Sequence, residues 1–215
     1  KKLYSKYNKN ISVVRNRLAK CLWGETKECE PIDRKKPVII YPGSQNHFSV
    51  RENDYKGDIG KELYDFILKT KDEYQWVFIG GIPQDFKKID SIIYYPWTNY
   101  TSYPQLLRNM NADIGIAPLE INNFNRAKSN IKQLEYTNIG IPGIYTDIEP
   151  YRNAACKCEA EEYMISKIQE FTKNPDLRYN TWKKDYDKIK TDMYMEDNII
   201  NWVNEHLKLF DKKIN

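Results

Sequence analysis

The sequence predicts an α/β fold: a doubly wound, Rossmann-like parallel sheet followed by C-terminal helices. Short apolar runs rich in β-branched residues recur along the middle of the chain, each bounded by Pro or Gly. Stretches with apolar residues at helical spacing separate them. The runs are continuous rather than alternating, which is the pattern of strands covered on both faces. Strand and helix in alternation then select a parallel sheet with helices on either side. A length of 215 residues, 40% of them hydrophobic, is enough for one substantial core.

The elements follow in order. Val38-Ile39-Ile40-Tyr41, between Pro37 and Pro42-Gly43-Ser44, reads as the first buried strand. Trp76-Val77-Phe78-Ile79 ends at Gly80-Gly81, Ile92-Ile93-Tyr94-Tyr95 at Pro96, and Asp113-Ile114-Gly115-Ile116-Ala117 at Pro118. A fifth strand, Gly143-Ile144-Tyr145-Thr146, follows Gly140-Ile141-Pro142. The stretch from Gly60 to Lys71 carries Leu63, Phe66 and Ile67 on one helical face. A second helix begins at Ser102, with Pro104 in the first turn where a missing N–H costs nothing, and runs through Leu106, Leu107 and Met110. A third starts at Ser129, placed to cap it, carries Ile131, Leu134 and Glu135, and stops near Gly140. After Pro150 the pattern is helical only: Met164, Ile165, Ile168 and Phe171 fit one amphipathic helix, and Ile199, Ile200, Val203, Leu207 and Phe210 another. Residues 1–36 hold one expected strand, Ile11 to Val14, and a polar linker. They read as the end of a preceding N-terminal domain plus linker, with residues 37–215 as one domain.

Composition narrows the function. Charged residues at 30% beside 40% hydrophobic exclude a disordered chain. No apolar run approaches the roughly 18–20 residues of a spanning helix, and Lys1 to Asn10 lack the apolar stretch of a signal peptide; a cytoplasmic location is expected. Residues 1–36 carry 11 basic and 4 acidic side chains, residues 37–150 carry 11 and 14, and residues 151–215 carry 12 and 12. The structured middle is thus slightly acidic, and no nucleic-acid partner is expected. Cys21, Cys29, Cys156 and Cys158 form no CxxC pair and read as free thiols.

In an open parallel sheet a ligand lies beyond the carboxyl ends of the strands. The segments there are Pro42-Gly43-Ser44, Gly80-Gly81-Ile82-Pro83, Pro96-Trp97-Thr98 and Pro118 to Glu135. Neither GxGxxG after a strand nor GxxxxGK[ST] occurs, and HExxH and GxSxG are missing. The fourth segment is the most informative. It sets Lys128 and Ser129 where a helix begins and Glu135 about two turns inside it. N–H groups opening a helix attract anions, and a carboxylate further along accepts hydrogen bonds from sugar hydroxyls. Phosphate at one end and ribose at the other describe a nucleotide site. The alternative is a solvated helix in which Glu135 pairs with Lys132, three residues away.

Asp113-Ile-Gly-Ile-Ala-Pro-Leu, Asn125 with Ala127-Lys128-Ser129-Asn130, Lys132, Leu134-Glu135-Tyr136, Gly140-Ile-Pro-Gly-Ile, Asp147 and Pro150-Tyr151 together resemble the nucleotide-sugar-binding half of GT-B glycosyltransferases. The nearest branch is the family-four-like retaining one. The resemblance covers residues 37–151 and implies a GT-B C-terminal domain that binds a nucleotide diphosphate sugar. It implies that Glu135 contacts the donor ribose, that Lys128, Ser129 and Asn130 lie near the diphosphate, that Gly43 and Ser44 approach the phosphates, and that Trp97 and Thr98 bracket the base. The acceptor, a glycan, lipid or protein, is unspecified, and so are the catalytic residues. No metal or other cofactor is expected, because cationic and N–H groups stand in place of an Asp-x-Asp pair. The branch often carries a second glutamate eight residues before the first, a position that here is Ala127. The branch's Arg/Lys pair after the first two strands has no clear counterpart, with Arg51 and Lys56 as candidates. Two rival readings are a glycosyltransferase-like module that binds a nucleotide, sugar or protein without turnover, and an epimerase of the same fold.

Overall fold

The computed structural model describes residues 4–9, 11–49, 51–52 and 54–211, with side chains described as far as residue 208 in the last helix. The strands are β1 (Val38–Gly43), β2 (Gln75–Gly80), β3 (Ile93–Pro96), β4 (Ile114–Ala117), β5 (Gly143–Thr146) and β6 (Lys157–Cys158). The helices are α1 (Lys20–Trp23), α2 (Lys61–Thr70), α3 (Tyr103–Asn109), α4 (Asn123–Arg126), α5 (Ile131–Asn138), α6 (Glu161–Lys173), α7 (Pro175–Ile189) and α8 (Ile199–Asp211). The six strands form one sheet in the order β3-β2-β1-β4-β5-β6, and every adjacent pair is parallel. This is the doubly wound, Rossmann-like α/β architecture.

Period-two alternation along buried strands splits the core into two layers. Ile39 and Tyr41 of β1, Trp76 and Phe78 of β2, and Ile114 and Ile116 of β4 pack with Leu63 and Ile67 of α2 and Met164, Ile168 and Phe171 of α6. Ile40, Val77, Ile79 and Tyr145 face the other way, onto Leu107 of α3, Leu134 and Tyr136 of α5, and Ile189 of α7. β3 closes one edge and is only half covered, with Ile93 exposed.

Four expectations need correction. Ile11 to Val14 form no strand: Val13 is exposed, and the chain first pairs, among the described residues, at Leu18, which bridges Tyr194 in parallel. The Leu18 N–H donates to Met193 O and the Met195 N–H to Leu18 O, each at 2.9 Å. Beyond Pro150 the chain is not helical only, since β6 adds two residues at the sheet edge. α7 is an additional helix. Its buried stripe mixes Trp182 and Ile189 with Arg178, Thr181 and Asp185, which blurs the apolar period. Ser129 does not cap α5; the cap residue is Asn130, without a side-chain cap bond. The Ser129 hydroxyl instead accepts from Asn16 Nδ2 at 2.9 Å. The side chain of Phe210, expected on the apolar face of α8, lies outside the described residues. Cys21, Cys29, Cys156 and Cys158 are free.

The close fit of α5 on the sheet rests on Gly115 in β4. A Cβ there would stand 2.6 Å from the Tyr136 ring, whose hydroxyl donates to Ile116 O at 2.6 Å. Overpacking a buried site of this kind costs about 1–3 kcal/mol. Gly115→Ala should therefore lower the unfolding free energy by an amount of that size, read as a fall in the urea midpoint. An unchanged midpoint would mean that α5 does not seat on β4 through this contact.

Candidate functional site

Moving along the sheet from β1, the chain steps outward through β2 and β3 on one side and through β4, β5 and β6 on the other. The loops leaving the carboxyl ends of β1 and β4 therefore part company, and a crevice opens between them. A cleft of about 290 Å³ occupies this position. The end of β1 supplies Pro42, Gly43 and Ser44, and the end of β2 supplies Ile79 and Gly80. Trp97, Thr98 and Tyr100 form the rim after β3, while α3 contributes Tyr103 and α5 contributes Ile131, Lys132 and Glu135. Trp97 and Tyr100 are 74% and 72% exposed, so two aromatic faces stand at the mouth without a covering layer. Gly80 allows the β2 loop to press against β1. Its φ is +90°, and a Cβ would meet Gly43 O at 2.7 Å.

Lys132 and Glu135, one turn apart on α5, both turn into the cleft and are both buried. The Lys132 amine donates to Pro42 O and lies 5.5 Å from the centre of the Tyr41 ring, which ties the start of α5 to the end of β1. Burial pulls this amine below the ordinary lysine range, with Glu135 acting in the opposite sense. Glu135 Oε2 accepts from the Tyr103 hydroxyl at 3.1 Å. No described residue takes Oε1. Burial pushes the Glu135 carboxyl up to about 7, against the charge of Lys132 and the Tyr103 bond. Among the described residues no ion pair joins Lys132 to Glu135, so the helix-surface pairing considered for them is not formed.

The wall beside Gly43 is His47, at the end of the short 3-10 turn Gln45–His47. Its Nδ1 bonds to the Asp58 carboxylate. Asp58 is itself buried, and its other oxygen accepts from the Glu120 N–H at 2.8 Å and from Asn125 Nδ2 at 2.9 Å. Lys128 Nζ stands 3.8 Å from the same carboxylate and 5.2 Å from the centre of the Phe124 ring. Burial pushes the Asp58 carboxyl up, but the bonds from His47 and the Glu120 N–H, with the charge of Lys128, outweigh it and leave the group below its ordinary value.

Of the residues singled out in the sequence, Gly43, Ser44, Trp97, Thr98 and Glu135 meet in this one cleft. Lys128, Ser129 and Asn130 do not line it: Lys128 turns to Asp58, Ser129 to Asn16, and Asn130 donates to Gln133 Oε1 at 3.1 Å. Arg51 and Lys56 are not among its lining residues either. Lys132 was legible as a cleft residue from its spacing, because a side chain three before Glu135 shares its helix face. His47 had no such signal, since its partner Asp58 lies eleven residues away in an irregular loop. No family model, curated protein or solved structure matches the chain.

The raised carboxyl carries a stability prediction. A group whose folded pKa exceeds its unfolded value contributes in full below the unfolded pKa and loses that contribution as pH rises through the folded one. For Glu135 the window runs from 4.5 to about 7. Glu135→Gln should therefore gain on the parent protein by about 3 kcal/mol between pH 4 and pH 8.5, measured by urea unfolding at both. A difference that does not change with pH would place the carboxyl in contact with water.

Proposed function

We propose that the chain is the donor-binding domain of a glycosyltransferase of GT-B architecture, holding a nucleotide diphosphate sugar for transfer to an acceptor. One observation carries the reading. Gly43, Ser44, Trp97, Thr98 and Glu135, picked out by resemblance from separate parts of the sequence, line a single cleft at the switch point where a doubly wound sheet takes its ligands.

In this reading the base lies between Trp97 and Tyr100 at the mouth, where stacking needs an open aromatic face. The ribose hydroxyls donate to Glu135, whose Oε1 no described residue takes. The diphosphate runs toward Gly43 and Ser44 at the end of β1, where the Lys132 amine supplies positive potential. Lys128-Ser129-Asn130 leads into α5 and sets where that helix begins. During transfer the departing diphosphate gains charge, and fixed N–H dipoles and a buried amine stabilise it without reorganising. A second reading, nucleotide binding without turnover, is favoured by Ala127, which sits exposed at the end of α4 where the branch often places its second glutamate.

A panel of nucleoside diphosphates and their sugar conjugates tests the site. At least one should raise the melting temperature by mass action and give calorimetric heat. Because a hydrogen bond to a charged group is worth roughly 1.5–3 kcal/mol, Glu135→Ala should weaken that nucleotide about tenfold or more at pH 8 and should not weaken inorganic pyrophosphate. No response from any member at millimolar concentration overturns the reading, and unchanged nucleotide affinity in the variant removes the ribose role.

A further inference from the structure

The donor reading leaves His47 without a role, yet no side chain in the cleft is held more deliberately. One ring nitrogen is fixed and the other is free. Nδ1 bonds to Asp58, with the Tyr41 hydroxyl at 3.5 Å. The Cδ2 edge lies beside Gly43, 3.3 Å from where a Cβ on that residue would stand. The side chain is 14% exposed and lines the cleft, and no described residue takes Nε2. Asp58 has little freedom to turn, since Glu120 and Asn125 hold its second oxygen.

A carboxylate on Nδ1 keeps that nitrogen protonated, so neutral His47 offers an acceptor at Nε2 and the imidazolium offers a donor. A phosphate oxygen accepts hydrogen bonds and repels a lone pair, so it selects the imidazolium. The other cations near this end are already engaged: Lys132 donates to Pro42 O, and Lys128 leans on Asp58. Glu135 lines the cleft too, and anions are disfavoured beside it. Charge therefore directs the phosphates to the Gly43 and His47 wall.

We propose that His47 is the phosphate-contacting residue of the cleft, held through Nδ1 by Asp58, and that it takes up a proton when a diphosphate binds and donates Nε2–H to a phosphate oxygen. The proposal deepens the donor reading and rests on it for the nucleoside part of the ligand. The groups around His47 are few. Asp58 and Lys128 act from the loop side, and the Tyr41 phenol faces it from β1, where burial keeps it neutral. Glu120 turns its carboxylate to Asn122 at 3.1 Å. Lys132 and Glu135 share the cleft from α5. Glu135 is linked to pH in the opposite sense, because hydroxyls bind its ionised form and release a proton.

The experiment is calorimetry of the full chain with a nucleoside diphosphate, its parent nucleoside and inorganic pyrophosphate, in buffers of different ionisation heat from pH 6 to 9. Both diphosphate ligands should take up protons beyond their own exchange with buffer, and their affinity should fall as pH rises. The nucleoside should take up none. His47→Gln should abolish the uptake and weaken both diphosphates about tenfold or more at pH 6.5, with the nucleoside unchanged. Uptake that survives in His47→Gln, or unchanged diphosphate affinity, overturns the assignment while the nucleotide site stands. His47-dependent uptake with pyrophosphate but no nucleoside binding keeps the assignment and overturns the nucleotide reading. Failure of all three ligands overturns both. Should His47→Gln not fold, the imidazole NMR titration of the unmodified protein decides, because pyrophosphate must move the His47 midpoint upward. The chain has two histidines, so His206→Gln assigns the signal. A midpoint that does not move refutes the proposal.

Discussion

The cleft depends on one buried carboxylate. Asp58 sits in the loop between β1 and α2, but its bonds run to His47 just after β1, to the Glu120 N–H after β4, and to Asn125 in α4. Three segments that leave the sheet in different directions are thereby fixed to a single point. A buried carboxylate that lost these partners would bear its full desolvation cost, so the loops cannot separate independently. The walls of the cleft are in consequence tied together without a ligand, so a ligand there would not need to order them. Asn125 reinforces the arrangement from both ends. Its amide bonds Asp58 and Glu120 O, while its own N–H is taken by the capping side chain of Asn122.

The opposite wall is built by burying charge. Lys132 and Glu135 are both shielded from water without a direct ion pair between them, and burial shifts each toward its neutral form. A hydrophobic pair at these positions would pack at lower cost. Strongly perturbed carboxyls and amines facing a cleft are a mark of sites that trade stability for ligand contact. The sheet beneath absorbs the trade: Ile39, Ile40, Phe78, Ile114, Ile116 and Ile144 are almost wholly inaccessible, and the end of β1 is clamped on one side by Gly80 and on the other by the Lys132 amine.

Which parts of this were legible in the sequence follows from the range of the interactions involved. The five longer strands and the helices α2, α3, α5, α6 and α8 leave local signals, because continuous burial or a helical stripe is written over consecutive residues. β6 is two residues long, and three of the five buried side chains of α7 are polar, so neither leaves such a trace. Ile11 to Val14 has the composition of a strand, yet composition says nothing about whether an edge is available to pair with. The same division holds in the cleft. Gly43, Ser44, Trp97 and Thr98 lie directly after strand signals, and Glu135 lies on a recognisable helix. Asp58 and its partners are joined across separations of 11, 62 and 67 residues by polar contacts alone, and no periodicity encodes those.

The polar groups of the cleft are not mixed. The Glu135 carboxyl is held by the Tyr103 hydroxyl, whereas the imidazole of His47 lies beside Gly43 and the amine of Lys132 donates to Pro42 O, both at the end of β1. An elongated ligand with hydroxyls at its centre and negative charge at one end can satisfy both walls in one orientation only, since the reverse sets anion against carboxylate. With like charges, misplacement costs several kcal/mol, more than a stacked aromatic ring returns. The separation of the Glu135 carboxyl from the end of β1 would therefore fix the direction in which such a ligand lies, with the exposed faces of Trp97 and Tyr100 at the mouth.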